Sequence, residues 1–274
     1  APGAPRRMSS QLPPTEHQAR TETLSLPPEV WRIAVLGDPH GDLIGLELAL
    51  ARETRPDTLI VSAGDNIGYA DGPVSSYLCQ VLEERGIRSV VGNHEAWSQE
   101  GTVFHSPPGL PKALTPDALA WTLALPTRIR VSAAARPALR ISITHSLPDW
   151  AYVNAGDARR FLDLEEADVI LSGHTHRPGV LSLGPRARKA TSKRFDPRSK
   201  TPLRVELEPN TRLVVDAGSL ARPSSPRRGA QPGGMCLEFG TYAVLDLRAG
   251  VVEVHSVDKR PRMREVFAQL MKGE

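Results

Sequence analysis

The sequence predicts a mixed α/β protein that starts largely parallel and finishes with antiparallel pairing. Three observations carry this. Between Trp31 and Val91, short apolar runs alternate with segments whose apolar residues fall at helical spacing. From Leu203 onward the strand-like runs lie close together, as in a meander. Polar clusters of Asp, Asn and His stand just after the strand runs, where an open α/β sheet gathers its functional groups.

The elements follow in order. Residues 1–28 are rich in Pro, Ser, Thr and Arg without apolar periodicity and are expected to form a disordered tail. Residues 29–274 are read as one domain. The run Trp31 to Gly37 reads as a buried strand, Leu43 to Glu53 as a helix, Thr58 to Gly64 as a strand, Ser75 to Arg85 as a helix, and Ile87 to Val91 as a strand. Asp42 is the expected N-cap of the first helix. Residues 97–127 are irregular, with one short helix at Pro116 to Leu125, and are a candidate lid. Strands are expected at 128–131, 139–144, 168–172, 203–207, 213–216, 242–247 and 251–254, with helices at 157–166 and 262–271. Residues 184–204 carry eight Lys or Arg against a lone Asp196 and read as an inserted, mobile, basic loop; Arg222, Arg227 and Arg228 form a second basic stretch.

Composition narrows the class. The 274 residues are 40% apolar and 24% charged, enough for a sizeable core in a soluble protein. No apolar run reaches the roughly 18–20 residues that span a bilayer, and no signal-peptide core is visible, so no membrane association and a cytoplasmic location are expected. Cys79 and Cys236 are isolated, fit neither a disulfide framework nor a zinc knuckle, and agree with a reducing compartment. A net charge of +3 points to no particular partner. The basic stretches leave nucleic acid open as a partner, although only Phe195 interleaves the first as an aromatic. Oligomeric state has no signal.

Five polar clusters carry the chemistry: Gly37-Asp38-Pro39-His40-Gly41-Asp42, Gly64-Asp65-Asn66, Gly92-Asn93-His94-Glu95, Thr144-His145-Ser146 and Gly173-His174-Thr175-His176. Five of the eight histidines fall inside them. Imidazole mixed with carboxylate suits Mn, Fe, Zn or Ni better than Ca or Mg alone. A pair of such ions needs a bridging carboxylate, lowers the pKa of a shared water and clamps phosphoryl oxygens.

Taken together and in order, the clusters resemble the five motifs of the calcineurin-like metallophosphoesterase superfamily. Further stretches, Asp65-Asn-Ile-Gly-Tyr69, Gly173-His-Thr-His-Arg-Pro178 and Asp216-Ala-Gly-Ser-Leu220, resemble its small bacterial and archaeal phosphodiesterase branch of the YfcE type. The protein Ser/Thr phosphatase branch carries a phosphate-binding Arg after the second motif, where Asn66 to Tyr69 stand here. The resemblance implies a four-layer α/β/β/α sandwich of two mixed sheets. It implies one divalent metal, Mn by preference, held by Asp38, His40, Asp65 and His176. A second is held by Asp65, Asn93, His145 and His174, so that Asp65 bridges. His94 is implied to contact the phosphate and to protonate the leaving oxygen, with a metal-activated hydroxide as nucleophile. Pro39 and Ser146 depart from the motifs without removing a ligand. The expected activity is phosphodiester hydrolysis, with phosphomonoesters at the same centre. The alternatives are a phosphoprotein or nucleotide phosphatase, a nuclease, and a non-catalytic scaffold of the same fold.

Overall fold

The computed structural model describes residues 20–98, 100–147, 152–224 and 236–272. Its elements begin β1 (Thr21–Leu26), β2 (Arg32–Leu36), α1 (Leu43–Arg52), β3 (Thr58–Ser62), α2 (Gly72–Glu84), β4 (Arg88–Ser89), α3 (Asn93–Trp97) and α4 (Pro116–Ala124). They continue with β5 (Arg128–Ala133), β6 (Ile141–Thr144), α5 (Ala158–Leu164), β7 (Val169–Ser172), β8 (Gly179–Leu183) and β9 (Thr191–Arg194). The last are β10 (Leu203–Glu206), β11 (Arg212–Asp216), β12 (Phe239–Asp246), β13 (Val251–Asp258) and α6 (Arg260–Lys272).

Two mixed sheets form, in the orders β1-β5-β6-β7-β11-β8-β9 and β10-β13-β12-β2-β3-β4. Strand alternation explains why they stack. In β2, Ile33 and Val35 face the core between the sheets, beside Val61, Ile143, Leu171 and Val215. Ala34 and Leu36 face the other way, against Leu46 of α1 and Leu78 and Leu82 of α2. Across the molecule, Ile170 and Val214 meet Phe161 and Leu162 of α5. The layers are therefore α/β/β/α. Strands buried on both faces are continuous apolar runs, which is how β2, β6 and β7 read in sequence. Truncating a fully buried residue such as Ile33 would cost about 2–5 kcal/mol.

Register sets the strand exits level. Leu36 pairs with Ser62 in the parallel β2–β3 ladder, and Ile143 with Leu171 in the parallel β6–β7 ladder. Asp38 and Asp65 thus leave the same end of one sheet, and His145 and His174 leave the same end of the other. Asp42 caps α1 as expected, accepting the Gly45 N–H at 2.9 Å.

Two expectations are corrected. Part of the expected tail, Thr21–Leu26, is a strand that pairs in parallel with β5; residues 1–19 lie outside the described residues. Its Thr-Glu-Thr-Leu-Ser-Leu alternation was hidden in a polar context, and an edge strand needs only one partner. The basic segment 184–204 is also structured: β9 pairs antiparallel with β8, and Phe195 is buried in the central core. Arg227 and Arg228 lie outside the described residues. No helix among the described residues is long and apolar enough to cross a membrane.

Candidate metal centre

All five sequence clusters meet at one place. Asp38 and His40 follow β2, Asp65 follows β3, Asn93 and His94 open α3 after β4, His145 follows β6, and His174 and His176 follow β7. One sheet supplies the first five of these residues and the other sheet the three remaining histidines.

Tight turns bring them there. Asp38, His40, Asp65, His174 and His176 all adopt positive φ, between 39° and 70°. Such conformations cost a non-glycine residue of order 1 kcal/mol or more and persist only where the surroundings enforce them. Gly92 and Gly173 are needed for approach: a Cβ on Gly92 would collide with Asp65, and one on Gly173 with the Asp38 carboxylate.

Hydrogen bonds aim the rings. The Nδ1–H of His40 donates to the Ile67 carbonyl at 3.0 Å, and that of His176 to the Arg222 carbonyl at 3.3 Å. Each ring then presents Nε2 inward, and the two Nε2 atoms face each other at 3.0 Å. Burial lowers the pKa of both, to about 4 for His176 and well below the usual range for His40, so both rings are neutral and two lone pairs oppose. That arrangement wants a cation. In the second cluster Asn93 Oδ1 lies 3.0 Å from His145 Nε2 and 2.8 Å from His174 Nδ1, while Asp65 Oδ2 lies 3.3 Å from His145 Nε2. Burial, the largest single influence, works against a charge on either Asp65 or His145, yet the neighbours together outweigh it: His145, His94 and His40 for Asp65, and Asp65, Asp38 and the Ala63 carbonyl for His145. Asp65 is held well below the carboxylate range and His145 rises to about 10. A proton there occupies ground that a metal ion can claim.

Three sets of donor atoms, each within 4.8 Å, are able to hold an ion: Asp38, His40 and His176; His40, Asp65 and His94; Asp65, His145 and His174. Asp65 belongs to two of them. The donor set, buried imidazoles with carboxylates, fits a borderline divalent cation.

Residues 32–178, more than half of the chain, match the calcineurin-like phosphoesterase family. The chain belongs to that family.

As a calcineurin-like phosphoesterase its fold is also found in solved structures. It is similar to a metallophosphoesterase from Sphaerobacter thermophilus, with a TM-score of 0.62 and 23% identity over 86% of this chain and 94% of that one. Weaker similarities reach a protein serine/threonine phosphatase from Saccharomyces cerevisiae (TM-score 0.43, 14% identity, 88% and 85% covered). They also reach Vacuolar Protein Sorting 29 from Cryptosporidium parvum (TM-score 0.39, 12% identity, 83% and 96% covered). These likenesses concern the fold alone. No curated protein matches the chain.

Other residues of this phosphoesterase complete the site. Glu95 is buried and accepts the backbone N–H groups of Asp65 (2.9 Å), Asn66 (2.7 Å), Ile67 (3.2 Å) and Gly92 (2.8 Å). The visible signal was its place three residues after Gly92, as in a capping box. Burial, reinforced by Asp65, raises its pKa to about 7. His94 donates its backbone N–H to Asp65 Oδ1 at 2.8 Å, and its ring Nε2 lies 4.0 Å from Asp65 Oδ2. Burial lowers its pKa, with Asp65 opposing. His105 sits 5.4 Å from the His94 ring and 5.8 Å from the Tyr69 ring, so part of the irregular 97–127 region edges the site. Tyr152 stands 4.8 Å from His174 on the opposite flank. Arg222 and its contact with Tyr69 had no signal beyond the basic stretch.

Proposed function

We propose that this phosphoesterase hydrolyses phosphodiesters, and phosphomonoesters at the same centre, using two divalent metal ions, Mn by preference. The observation that carries the reading is the position of Asp65 Oδ2, 3.8 Å from His40 Nε2 on one side and 3.3 Å from His145 Nε2 on the other. A single carboxylate oxygen shared by two imidazole clusters is what a bridging ligand requires. Asp38, His40, Asp65 and His176 would hold one ion, and Asp65, Asn93, His145 and His174 the other.

When bound, the ions supply Lewis acidity and a water acidified for attack on phosphorus. The chain's own residues do the rest. Carbonyls of Ile67, Ala63 and Arg222 fix the tautomers of His40, His145 and His176, so that each offers Nε2. Glu95 locks the β3 and β4 exits to one another. His94, tied through its backbone to the shared carboxylate, would hold a proton for the departing oxygen.

The test compares an aryl phosphodiester with an aryl phosphomonoester on metal-stripped protein, before and after Mn is restored, beside Asp65→Asn and His94→Ala. Turnover that depends on Mn and disappears in both variants supports the reading, and the ratio of the two esters ranks the substrates. Folded protein that turns over neither ester with any transition metal would sink it.

A further inference from the structure

Arg222 lies on the loop that leaves β11, at the same end of the sheet as the β7 exit, since β7 and β11 run parallel. Its main chain is woven into the centre. The Arg222 N–H donates to Ser219 Oγ at 3.1 Å, and Ser219 Oγ donates to the Asp38 carbonyl at 2.8 Å. The Arg222 carbonyl receives the His176 Nδ1–H. The side chain is held as well: its guanidinium carbon lies 3.7 Å above the Tyr69 ring. Tyr69 in turn meets His40 edge-on at 4.4 Å and adopts a φ of 62°, a conformation the fold must enforce.

What this guanidinium lacks, among the described residues, is an anion. Arg32, Arg88, Arg128, Arg140, Arg212 and Arg260 each meet a carboxylate within 3.3 Å. Arg222 is paired with no carboxylate among the described residues, although it is only partly exposed. Its charge is felt at the centre, where it opposes protonation of His94 and His176. A planar fork of donors, laid on an aromatic ring and without a carboxylate partner among the described residues, is prepared to receive an oxyanion bidentately.

We propose that Arg222, positioned on Tyr69, is the phosphate-binding residue of this site and takes the non-bridging oxygens of the substrate's phosphoryl group. The inference rests on the function proposed above for the identity of the anion. It does not rest on turnover.

The experiment is a calorimetric titration of inorganic phosphate into Mn-loaded wild-type protein, Arg222→Gln, Arg222→Lys and Tyr69→Leu, with bound metal and Tm recorded for each. One charge-assisted, bidentate contact corresponds to a rise in Kd of about 10- to 100-fold in Arg222→Gln. Arg222→Lys keeps the charge without the planar fork and should recover only part of the affinity. Tyr69→Leu leaves the main-chain bonds of Arg222 in place and should weaken phosphate several-fold by removing the platform. Unchanged phosphate affinity in Arg222→Gln, or no phosphate affinity in the wild type, overturns the proposal. A fall in Tm with phosphate affinity intact would make Arg222 structural and overturns it equally. Ester hydrolysis by the wild type is followed in parallel. Its absence would count against the proposed activity, while the phosphate titration still decides the role of Arg222.

Discussion

The carboxylate of Glu95 accepts the backbone N–H of Asp65 at 2.9 Å and, through the same oxygen, that of Gly92 at 2.8 Å. One buried side chain therefore fixes the distance between the exits of β3 and β4, and with it the spacing of Asp65 and Asn93. Glu95→Gln would turn an amide NH2 toward N–H donors. We expect a loss of about 2–4 kcal/mol of stability from unsatisfied buried groups, read from urea unfolding. We also expect weaker metal binding, although Glu95 is not among the proposed ligands. Unaltered unfolding would remove the anchoring role.

Asp65→Asn keeps the shape of the proposed bridging residue and removes its charge. The expected result is loss of one bound ion per chain and a fall in turnover of more than about 100-fold, checked by metal content and by initial rates. His145 has its pKa held up by Asp65 and Asp38 against burial, so its ring should titrate at lower pH in the variant. Two-dimensional NMR of the imidazoles reads that shift. A variant that retains two tightly held ions contradicts a bridging Asp65.

The strands that lead to the candidate site were legible because a strand buried on both faces has to be a run of apolar residues, and its exit has to turn. β2, β6 and β7 announce themselves in this way, and the half-buried β3 does so through its Leu-Ile-Val run; their exits carry the Asp and His clusters. β9 has no such mark. Thr-Ser-Lys-Arg is exposed at every position, and only pairing with β8 makes it a strand. β1 was hidden for the same reason, its partner β5 being far off in sequence. The Asp, Asn and His clusters could be read from their order, whereas Arg222 could not, because nothing near it foretells that Tyr69 will lie beneath it.

Lys259 is buried at the end of β13. Its Nζ donates to Asp42 Oδ2 at 2.5 Å and to the carbonyls of Leu220 and Ala221 at 2.9 Å each. It ties the cap of α1 to the loop that carries Arg222. Lys259→Met would leave Asp42 and two carbonyls without this donor. A loss of about 3 kcal/mol is expected, measured by denaturant unfolding, together with weaker phosphate binding as the Arg222 loop loosens. A stability change below about 0.5 kcal/mol would show that the pair contributes nothing net.

Arg140 meets Asp168 through two side-chain contacts, at 2.7 and 3.0 Å, just before β7. This hydrogen bonding holds the Asp168 carboxyl below its usual range. An unfolded Asp titrates near about 3.9. Because the folded pKa lies lower, the pair stabilises fully above that value, and the contribution disappears as pH falls through the folded pKa. The Arg140 side chain is mostly exposed and Asp168 is half-buried, so screening limits the gain to about 0.5 kcal/mol. Wild type and Asp168→Asn should therefore differ slightly in urea midpoint at pH 7 and converge in acid. A gap that widens as the pH drops would reverse the assignment.

Asp38, His40, Asp65 and Asn93 come from one sheet, and His145, His174 and His176 from the other. Every ion seated as proposed is thus a rivet driven through both sheets. Its binding free energy becomes cohesion between the halves of the molecule. A chelator would then do more than silence the enzyme: it would unpin the sandwich along its seam, and thermal stability would rise and fall with metal supply.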